Sequence, residues 1–435
     1  MTDTPLSSGP LGPPPKKFSR RGALGMLGAG TVGVAGYGMW SFTDRHSSFP
    51  DGAAGATDAR DRPVRDHKAV VAGDKADRAL VMIELEGGHD WVSTLVPYRD
   101  PALRSLRDST LPDMDALIRL DDRYAINGNM ASTGTGIAFL HGVGTPNPTG
   151  SHFEMAARWR SGNADGTTLA ATGFLGRLCD ELDQGAPVTG VSLAGNNPAI
   201  LSRKSVTLGL PDGGDLEWLV SVEPWFRNLR SGIEGLGTHA NDDSAVTGIA
   251  RTNLSKALRF SALLEGLDAE ATGYPGGSLS DQLAIAAKLL GSKTGVRVIL
   301  VSLGGFDTHS GQRGTHDALL DQIDRSLAAF QSDLDRRGLT DTTLVATMSE
   351  FGRRPRENGS GTDHGSASTA LLWGPVKPGV HGEALSLTNL DEDDNFVATM
   401  MMNEYYATLA EKWFGVDPND VLATKAKPID GVVNA

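Results

Sequence analysis

Apolar runs and helical periods alternate along most of the chain. Six largely apolar runs predict buried strands, at residues 78–86, 136–144, 187–194, 295–303, 342–349 and 369–373. Helical spacing of apolar residues predicts helices at 151–159, 173–183, 245–267, 278–290, 316–334 and 396–414. Because strands alternate with helices, we expect an α/β fold with a mostly parallel central sheet flanked by helices.

The helix predicted after the second strand has two notable features. Its apolar residues Phe153, Ala156, Ala157 and Trp159 recur at helical spacing and predict one buried face. Ser151 stands where the N-cap of this helix should be.

The first 77 residues lack this alternation. Arg20 and Arg21 precede an uncharged, glycine-rich stretch that ends at Trp40, as in a twin-arginine export signal over residues 1–40. A plain transmembrane anchor is the alternative, since the stretch is roughly long enough to span a membrane. Ala54-Gly55-Ala56 is the only nearby cleavage-like site, so an uncleaved anchor also stays open. Residues 41–77 are predicted to be a disordered linker, and 78–435 a single domain.

The net charge and the cysteine content of the chain exclude some classes of partner and of covalent cross-link. The chain of 435 residues has a formal net charge of -13, which argues against nucleic acid or an anionic membrane surface as the main partner. We therefore expect contact with a membrane only through the export signal or an uncleaved anchor. The single cysteine, Cys179, allows no intrachain disulfide, and its helical context predicts a buried apolar role.

Polar side chains follow the predicted strands where each strand ends. Five segments show this feature: Asp90 after the first strand, Ser151 and His152 after the second, Asp307 and His309 in GGFDTH, Glu350 in MSEF, and Asp363 and His364 in GTDHG. In an open α/β sheet, ligands bind outside the carboxyl ends of the strands. We therefore expect these groups to share one site.

Aspartate, glutamate and histidine together are suitable ligands for a divalent ion such as zinc, manganese or calcium. Each residue taken singly also has a structural interpretation as a turn, a helix cap or an ion-pair partner. The recurrence of such groups at the strand ends favours a shared metal site. Arg353, in the basic run that follows Glu350, is a candidate for binding an anion.

Five motifs resemble one known family. LEGGHDW, HGVGTPNPTGSHF, GGFDTHSGQ, LVATMSEFGRR and GTDHG occur in this order behind the twin-arginine pattern. They resemble the exported family called domain of unknown function fifteen-oh-one, over residues 78 to the C-terminus. That family is usually placed with the alkaline phosphatase and sulfatase superfamily, so the resemblance implies an alkaline phosphatase/sulfatase-like fold. It does not imply an established activity.

The resemblance also implies roles for individual residues. Ser151 would be the nucleophile and Arg353 would offset charge on the transferred group. Asp307, His309 and His364 resemble the ligands of one metal ion, and Asp363 is a further candidate ligand. Asp90, Ser151 and Glu350 would remain for a second ion.

This chain departs from the superfamily pattern at two positions. Phe351 stands where the superfamily usually has a metal-binding histidine, and the spacing between Asp307 and His309 is contracted. No sulfatase-type Cys-x-Pro-x-Arg motif is present. These departures therefore favour a site for one metal ion over a site for two.

Two functions remain open from the sequence. The first is an exported, metal-dependent hydrolase of a phosphate or sulfate ester, with a small-molecule or polysaccharide substrate. Either Ser151 or a metal-activated water would then attack the ester. The second is a non-catalytic exported binding module that keeps a degenerate metal site. Export would place either protein in the periplasm or outside the cell.

Overall fold

The structure is a computed structural model. It describes residues 75–166, 171–210, 273–292 and 294–434, together with scattered positions between 253 and 263. The predicted export signal, almost all of the predicted linker and most of the predicted helix at 245–267 lie outside the described residues. In the part of the chain that is described, no helix is long and apolar enough to cross a membrane.

The described strands follow one another along the chain. They are β1 (Ala79–Glu86), β2 (Leu95–Val96), β3 (Ile118–Arg119), β4 (Ala125–Ile126), β5 (Ala138–Gly144), β6 (Gly190–Ser192), β7 (Thr207–Gly209), β8 (Val298–Gly304), β9 (Thr343–Met348), β10 (Arg353–Glu357), β11 (Thr362–His364), β12 (Ser368–Trp373), β13 (Gly379–His381) and β14 (Met400–Met401).

The described helices are α1 (Trp91–Thr94), α2 (Leu103–Leu106), α3 (His152–Ser161), α4 (Phe174–Leu182), α5 (Ser278–Gly291), α6 (Gln312–Arg337), α7 (Met402–Ala407) and α8 (Pro418–Val421). A π-helix, Thr408–Phe414, continues directly from α7. Short 3₁₀ turns occur at Gly128–Met130, Gly134–Gly136, Pro198–Ile200 and Thr340–Thr342.

One large sheet forms the centre of the fold. Its strand order is β13-β5-β12-β9-β1-β8-β6-β7, and β14 also pairs with β5. Only β12 runs antiparallel to its neighbours among the described strands of this sheet. The predicted α/β class with a mostly parallel sheet is therefore confirmed.

Residues of β1 pack on both faces of the sheet, because successive side chains of a strand point in opposite directions. Val81 and Ile83 join a core cluster with residues of α5 and α6. Leu80 and Met82 join a second cluster with residues of α3, α4 and α7. Helices therefore cover both faces, and Cys179 of α4 is fully buried, as predicted.

The last predicted helix begins later than the sequence indicated. The pattern predicted a helix from 396, but β14 occupies Met400–Met401 and α7 begins at Met402. Thr399 donates its backbone N–H to the Gly142 carbonyl, and Met400 pairs with Val143. This pairing with β5 holds the segment extended, although its apolar residues have helical spacing.

Two small elements lie outside the large sheet. Strands β10 and β11 form an antiparallel ribbon in which Arg353 lies opposite His364. Strands β2, β3 and β4 form a second small sheet. The ribbon brings the last predicted site residues to the carboxyl ends of β1, β8 and β9.

Candidate metal centre

Three side chains from distant segments form a group that could hold a metal ion. One ligand atom from each of His152, Asp307 and His364 lies within 4.8 Å of the others. His309 lies beside them, with its Nε2 atom 2.9 Å from His364 Nε2 and 3.1 Å from Asp307 Oδ1. We call these four residues the metal-binding group.

Each imidazole of the metal-binding group has an acceptor at its Nδ1 atom. These acceptors are Glu350 Oε1 for His152 (2.9 Å), the Gly150 carbonyl for His364 (2.8 Å) and Asp363 Oδ1 for His309 (3.4 Å). A partner of this kind keeps the ring hydrogen on Nδ1 and leaves Nε2 with a free lone pair. All three Nε2 atoms lie close to the Asp307 carboxylate, at 3.5 Å for His152 and 3.1 Å for His309 and His364. Such a donor set could hold a metal ion.

Glu350 is placed behind a ligand and does not itself join the metal-binding group. Its Oε1 atom accepts the backbone N–H of Gly87 at 2.8 Å and lies 2.9 Å from His152 Nδ1. Its side chain is only 8% exposed. A carboxylate on the outer nitrogen of a histidine fixes the ring orientation, which differs from the predicted ligand role.

Asp363 has a similar position behind His309. Its carboxylate accepts a hydrogen bond from Asn358 Nδ2 at 2.8 Å. This bond, together with the one to His309, lowers the pKa of Asp363 although partial burial opposes the shift. Asp363 therefore faces the Nδ1 side of His309, away from the nitrogen that points at the metal-binding group.

Asp90 lies at the same edge of the sheet but is occupied by other partners. Arg107 binds both of its oxygens, at 2.6 and 3.0 Å, and Ser93 and Gln312 each donate to Oδ2 at 2.6 Å. Burial raises the pKa of Asp90, but the charge and hydrogen bonds of Arg107 outweigh burial and hold it well below its usual range. Both carboxylate oxygens of Asp90 are therefore occupied by protein donors, and the structure does not bring Asp90 into the metal-binding group.

Arg353, predicted from the sequence as a candidate for binding an anion, is fully buried, and its guanidinium is occupied by groups of the protein. Its guanidinium donates to the carbonyls of Gly87, Gly88, Phe306 and Thr362. It also donates to Asp307 Oδ1 at 2.6 Å. Arg353 thus ties three chain segments together and orients one metal-binding carboxylate.

The carboxyl group of Asp307 is suited to act as an anion. Its side chain is 48% exposed at the mouth of the site. Partial burial raises its pKa, but the hydrogen bond and the charge of Arg353 prevail and lower it to about 2. Asp307 is therefore ionised at neutral pH and is available as a ligand.

The Gly87-Gly88 pair is required by close packing beneath the site. Both residues have positive φ angles, +117° and +94°. A Cβ atom on Gly87 would lie 2.2 Å from the Asp307 backbone nitrogen, and one on Gly88 would lie 2.6 Å from the Phe351 ring. Only glycine lets the end of β1 pass this close to the end of β8 and to Phe351.

Phe351 supports the imidazoles without binding a metal. It is 1% exposed, and its ring centroid lies 5.0 Å from that of His152 and 4.6 Å from that of His364. At the position where the family resemblance implied a histidine ligand, this chain has an aromatic ring packed beside His152 and His364. The replacement removes one imidazole but leaves the metal-binding group intact.

Ser151 is the N-cap of α3, as predicted. Its Oγ atom accepts the backbone N–H of Glu154 at 3.4 Å, and the residue is exposed. The neighbouring Gly150 carbonyl accepts from His364. Ser151 therefore lies on the segment that borders the metal-binding group.

Sequence reasoning assigned no metal-binding role to His152, and it did not anticipate the Gly150 carbonyl. His152 follows Ser151 directly and opens a helix after the end of β5. A histidine in the first turn of a helix at the carboxyl edge of a sheet was the available signal. His152 was among the groups expected to share the site, but no ligand role was assigned to it because the adjacent serine suggested a nucleophile.

Comparison with known proteins supports the family resemblance. A family model described as "Protein of unknown function (DUF1501)" matches residues 238–426. This range contains three of the five motifs and confirms the resemblance there. A search of the curated proteins finds no match.

Several solved structures are similar to this chain. The PsFucS1 sulfatase from Pseudoalteromonas sp. has 12% sequence identity, with 82% of this chain and 72% of the sulfatase covered and a TM-score of 0.39. The C-terminal periplasmic domain of EcEptC from Escherichia coli, in complex with Zn, has 12% identity, coverages of 79% and 84%, and a TM-score of 0.33. The lipoteichoic acid synthase LtaP from Listeria monocytogenes has 9% identity, coverages of 80% and 74%, and a TM-score of 0.35.

Proposed function

We propose that this chain is an exported, metal-dependent hydrolase of a phosphate or sulfate ester. One observation carries the proposal. The Nε2 atoms of His309 and His364 lie 2.9 Å apart and face Asp307, while both Nδ1 atoms face acceptors. Two nitrogen lone pairs and a carboxylate at this separation repel one another unless a proton or a metal cation lies among them, and the acceptors at both Nδ1 atoms favour the metal cation.

The donor set favours zinc over the other ions considered. Imidazole nitrogen with one carboxylate is a common zinc environment, whereas calcium prefers oxygen ligands alone. Partial exposure also favours a reactive site, because structural zinc sites are usually closed by protein ligands. When bound at such a site, zinc supplies a Lewis acid for the ester oxygen.

The chain's own residues would bind and orient the ester. The backbone N–H groups at the start of α3 attract an anion, and the exposed Ser151 hydroxyl lies at that helix end. The cap bond uses a lone pair of Ser151 Oγ and leaves its hydrogen uncommitted. In the attack, Oγ would form a bond to phosphorus or sulfur while the bond from that atom to the ester's alcohol oxygen breaks, and the hydroxyl proton would pass to the departing alcohol oxygen. Glu350 holds His152, and Arg353 holds Asp307, in fixed orientations.

Metal content and turnover test this function together. We expect His364→Ala to lose bound zinc, and with it a stabilisation of about 3 kcal/mol at a hundredfold excess of zinc over Kd. His381→Ala is the matched control, because His381 is only partly buried and its imidazole bonds only the Lys377 carbonyl among the described residues. Its zinc content and thermal stability should equal those of the parent.

Ser151→Ala separates the nucleophile from the ligands. We expect this variant to keep its zinc, to lose about 1 kcal/mol of stability with the cap, and to hydrolyse neither an aryl phosphate nor an aryl sulfate. A parent protein that takes up no stoichiometric metal would refute the hydrolase. A parent that binds zinc but turns over no ester would favour a binding module instead.

A further inference from the structure

Phe153 is the most exposed large hydrophobic residue in the described part of the chain. It is 92% exposed, whereas the next two, Leu263 and Val397, are 45% and 43% exposed. Single apolar residues on a surface are ordinary, but nearly complete exposure of an aromatic ring is not. The apolar spacing of α3 predicted that Phe153 would be buried, and the buried face instead contains Met155 and Trp159.

The position of Phe153 connects it to the candidate metal centre. It directly follows His152, so the two Cα atoms are about 3.8 Å apart. It also lies in the first turn of α3, where the backbone N–H groups attract an anion. Successive side chains of a helix diverge by about 100°, so the Phe153 ring does not face the metal-binding group itself. A ring-sized alcohol portion of an ester bound there would reach beyond the ligands, and on the first turn of α3 the Phe153 ring is the exposed apolar surface for it to meet.

We propose that Phe153 is a substrate-binding residue that stacks on a flat face of the alcohol portion of the ester. The fitting chemistry is an aryl ring or the C–H face of a pyranose, since both present a flat apolar surface to an aromatic ring. This inference rests on the proposed function for the position of the ester. It adds that the site selects esters of cyclic alcohols over those of small acyclic ones.

Binding of unreactive anions tests the inference without turnover. The affinity of zinc-loaded protein for benzenesulfonate and for methanesulfonate would be measured by titration calorimetry. The parent should bind benzenesulfonate about tenfold more tightly. Phe153→Ala should reduce this preference to about twofold or less, and Phe153→Trp should retain it. The 6-sulfonate of 6-deoxyglucose, which has no ester bond to hydrolyse, is titrated in parallel and distinguishes a sugar-binding ring from an aryl-binding one.

Phe153→Leu is the control that separates stacking from general apolarity. It should lose the preference, because a leucine side chain has no flat face. Retention of the preference by Phe153→Leu or Phe153→Ala would overturn the inference, as would a parent that binds neither sulfonate. Since Phe153 packs against so little, all three variants should keep the thermal stability of the parent.

The outcomes also separate this inference from the proposed function. If the preference for benzenesulfonate depends on Phe153 but the protein hydrolyses no ester, Phe153 is a binding residue and the proposed hydrolase function is refuted. If the protein hydrolyses an ester and the Phe153 variants keep the preference for benzenesulfonate, the hydrolase function is supported and the binding role of Phe153 is refuted.

Discussion

Replacement of Asp90 by asparagine decides whether this residue is a ligand or a structural partner. The side chains of Asp90 and Arg107 are both fully buried, and their shortest contact is 2.6 Å. Asparagine keeps the size of the side chain but leaves the Arg107 charge without its counterion. Breaking a buried ion pair in this way costs about 3 to 5 kcal/mol. Because neither group is exposed, solvent does little to reduce that cost.

The expected result is a large loss of stability at unchanged metal content. Denaturant unfolding would give the free energy of unfolding, and elemental analysis would give the zinc content of the folded protein. The double variant Asp90→Asn with Arg107→Met removes the unpaired charge and should recover part of the stability. Loss of zinc by Asp90→Asn at an unchanged unfolding midpoint would refute this reasoning and identify Asp90 as a ligand.

The loss of stability caused by Asp90→Asn should also depend on pH, and the direction follows from the pKa of Asp90. In the folded chain the pKa of Asp90 lies well below its usual range, so its stabilisation is fully present above the unfolded value of about 4. That stabilisation is lost as the pH falls from there through the folded value. The difference in unfolding free energy between the parent and Asp90→Asn should therefore be constant near neutral pH and shrink in acid.

Three further perturbations test other parts of the interpretation. Glu350→Gln should weaken zinc binding by about 10- to 100-fold in chelator competition, because the variant holds the His152 ring less firmly. Gly88→Ala should cost about 2 kcal/mol or more and weaken zinc binding, since its Cβ atom would meet Phe351 at a φ angle of +94°. Replacing Arg20 and Arg21 with lysines should retain the protein in the cytoplasm, as fractionation of the expressing cells would reveal.

Each of these perturbations has a control or a contradicting result. Complete loss of zinc in Glu350→Gln would instead indicate a direct ligand. Gly185 has a φ angle of +88° with nothing within 4 Å of an added Cβ atom, so Gly185→Ala isolates the backbone strain from the clash. Equal losses in the two glycine variants would show that Phe351 has room to move. Unchanged export of the lysine variant would rule out the twin-arginine signal.

The sequence was sufficient to predict six of the nine described strands of the large sheet, because these six lie in largely apolar runs. Strands β7, β13 and β14 were not predicted, since two or three residues are too short to show a pattern. The sequence also predicted which segments reach the carboxyl edge. Strand β12 shows one limit, since nothing in TALLW distinguishes an antiparallel strand from a parallel one. Helix α7 shows another, because pairing of Met400 with β5 overrides a helical apolar pattern.

The sequence was less informative about which polar side chains face one another in the folded protein. Asp90 and Asp307 follow the same glycine pattern, yet Arg107 neutralises only Asp90. Arg107 belongs to an irregular segment after α2, and no local pattern links it to Asp90. Arg353 and Glu350 were predicted to face the solvent-filled site, but their side chains turn inward to backbone groups and to His152. Such orientations are set by tertiary packing, not by residue type.

The contacts of Arg353 have a consequence for the order of events during folding. Its guanidinium reaches backbone carbonyls that lie 265 and 266 residues earlier in the chain, at Gly88 and Gly87. Contacts of such long sequence separation form only after large loops have closed, which makes them slow to establish. The metal-binding group is therefore absent from the unfolded chain and forms only once these distant segments have come together. Metal loading would occur after synthesis of the whole chain, in whichever compartment the chain completes its fold.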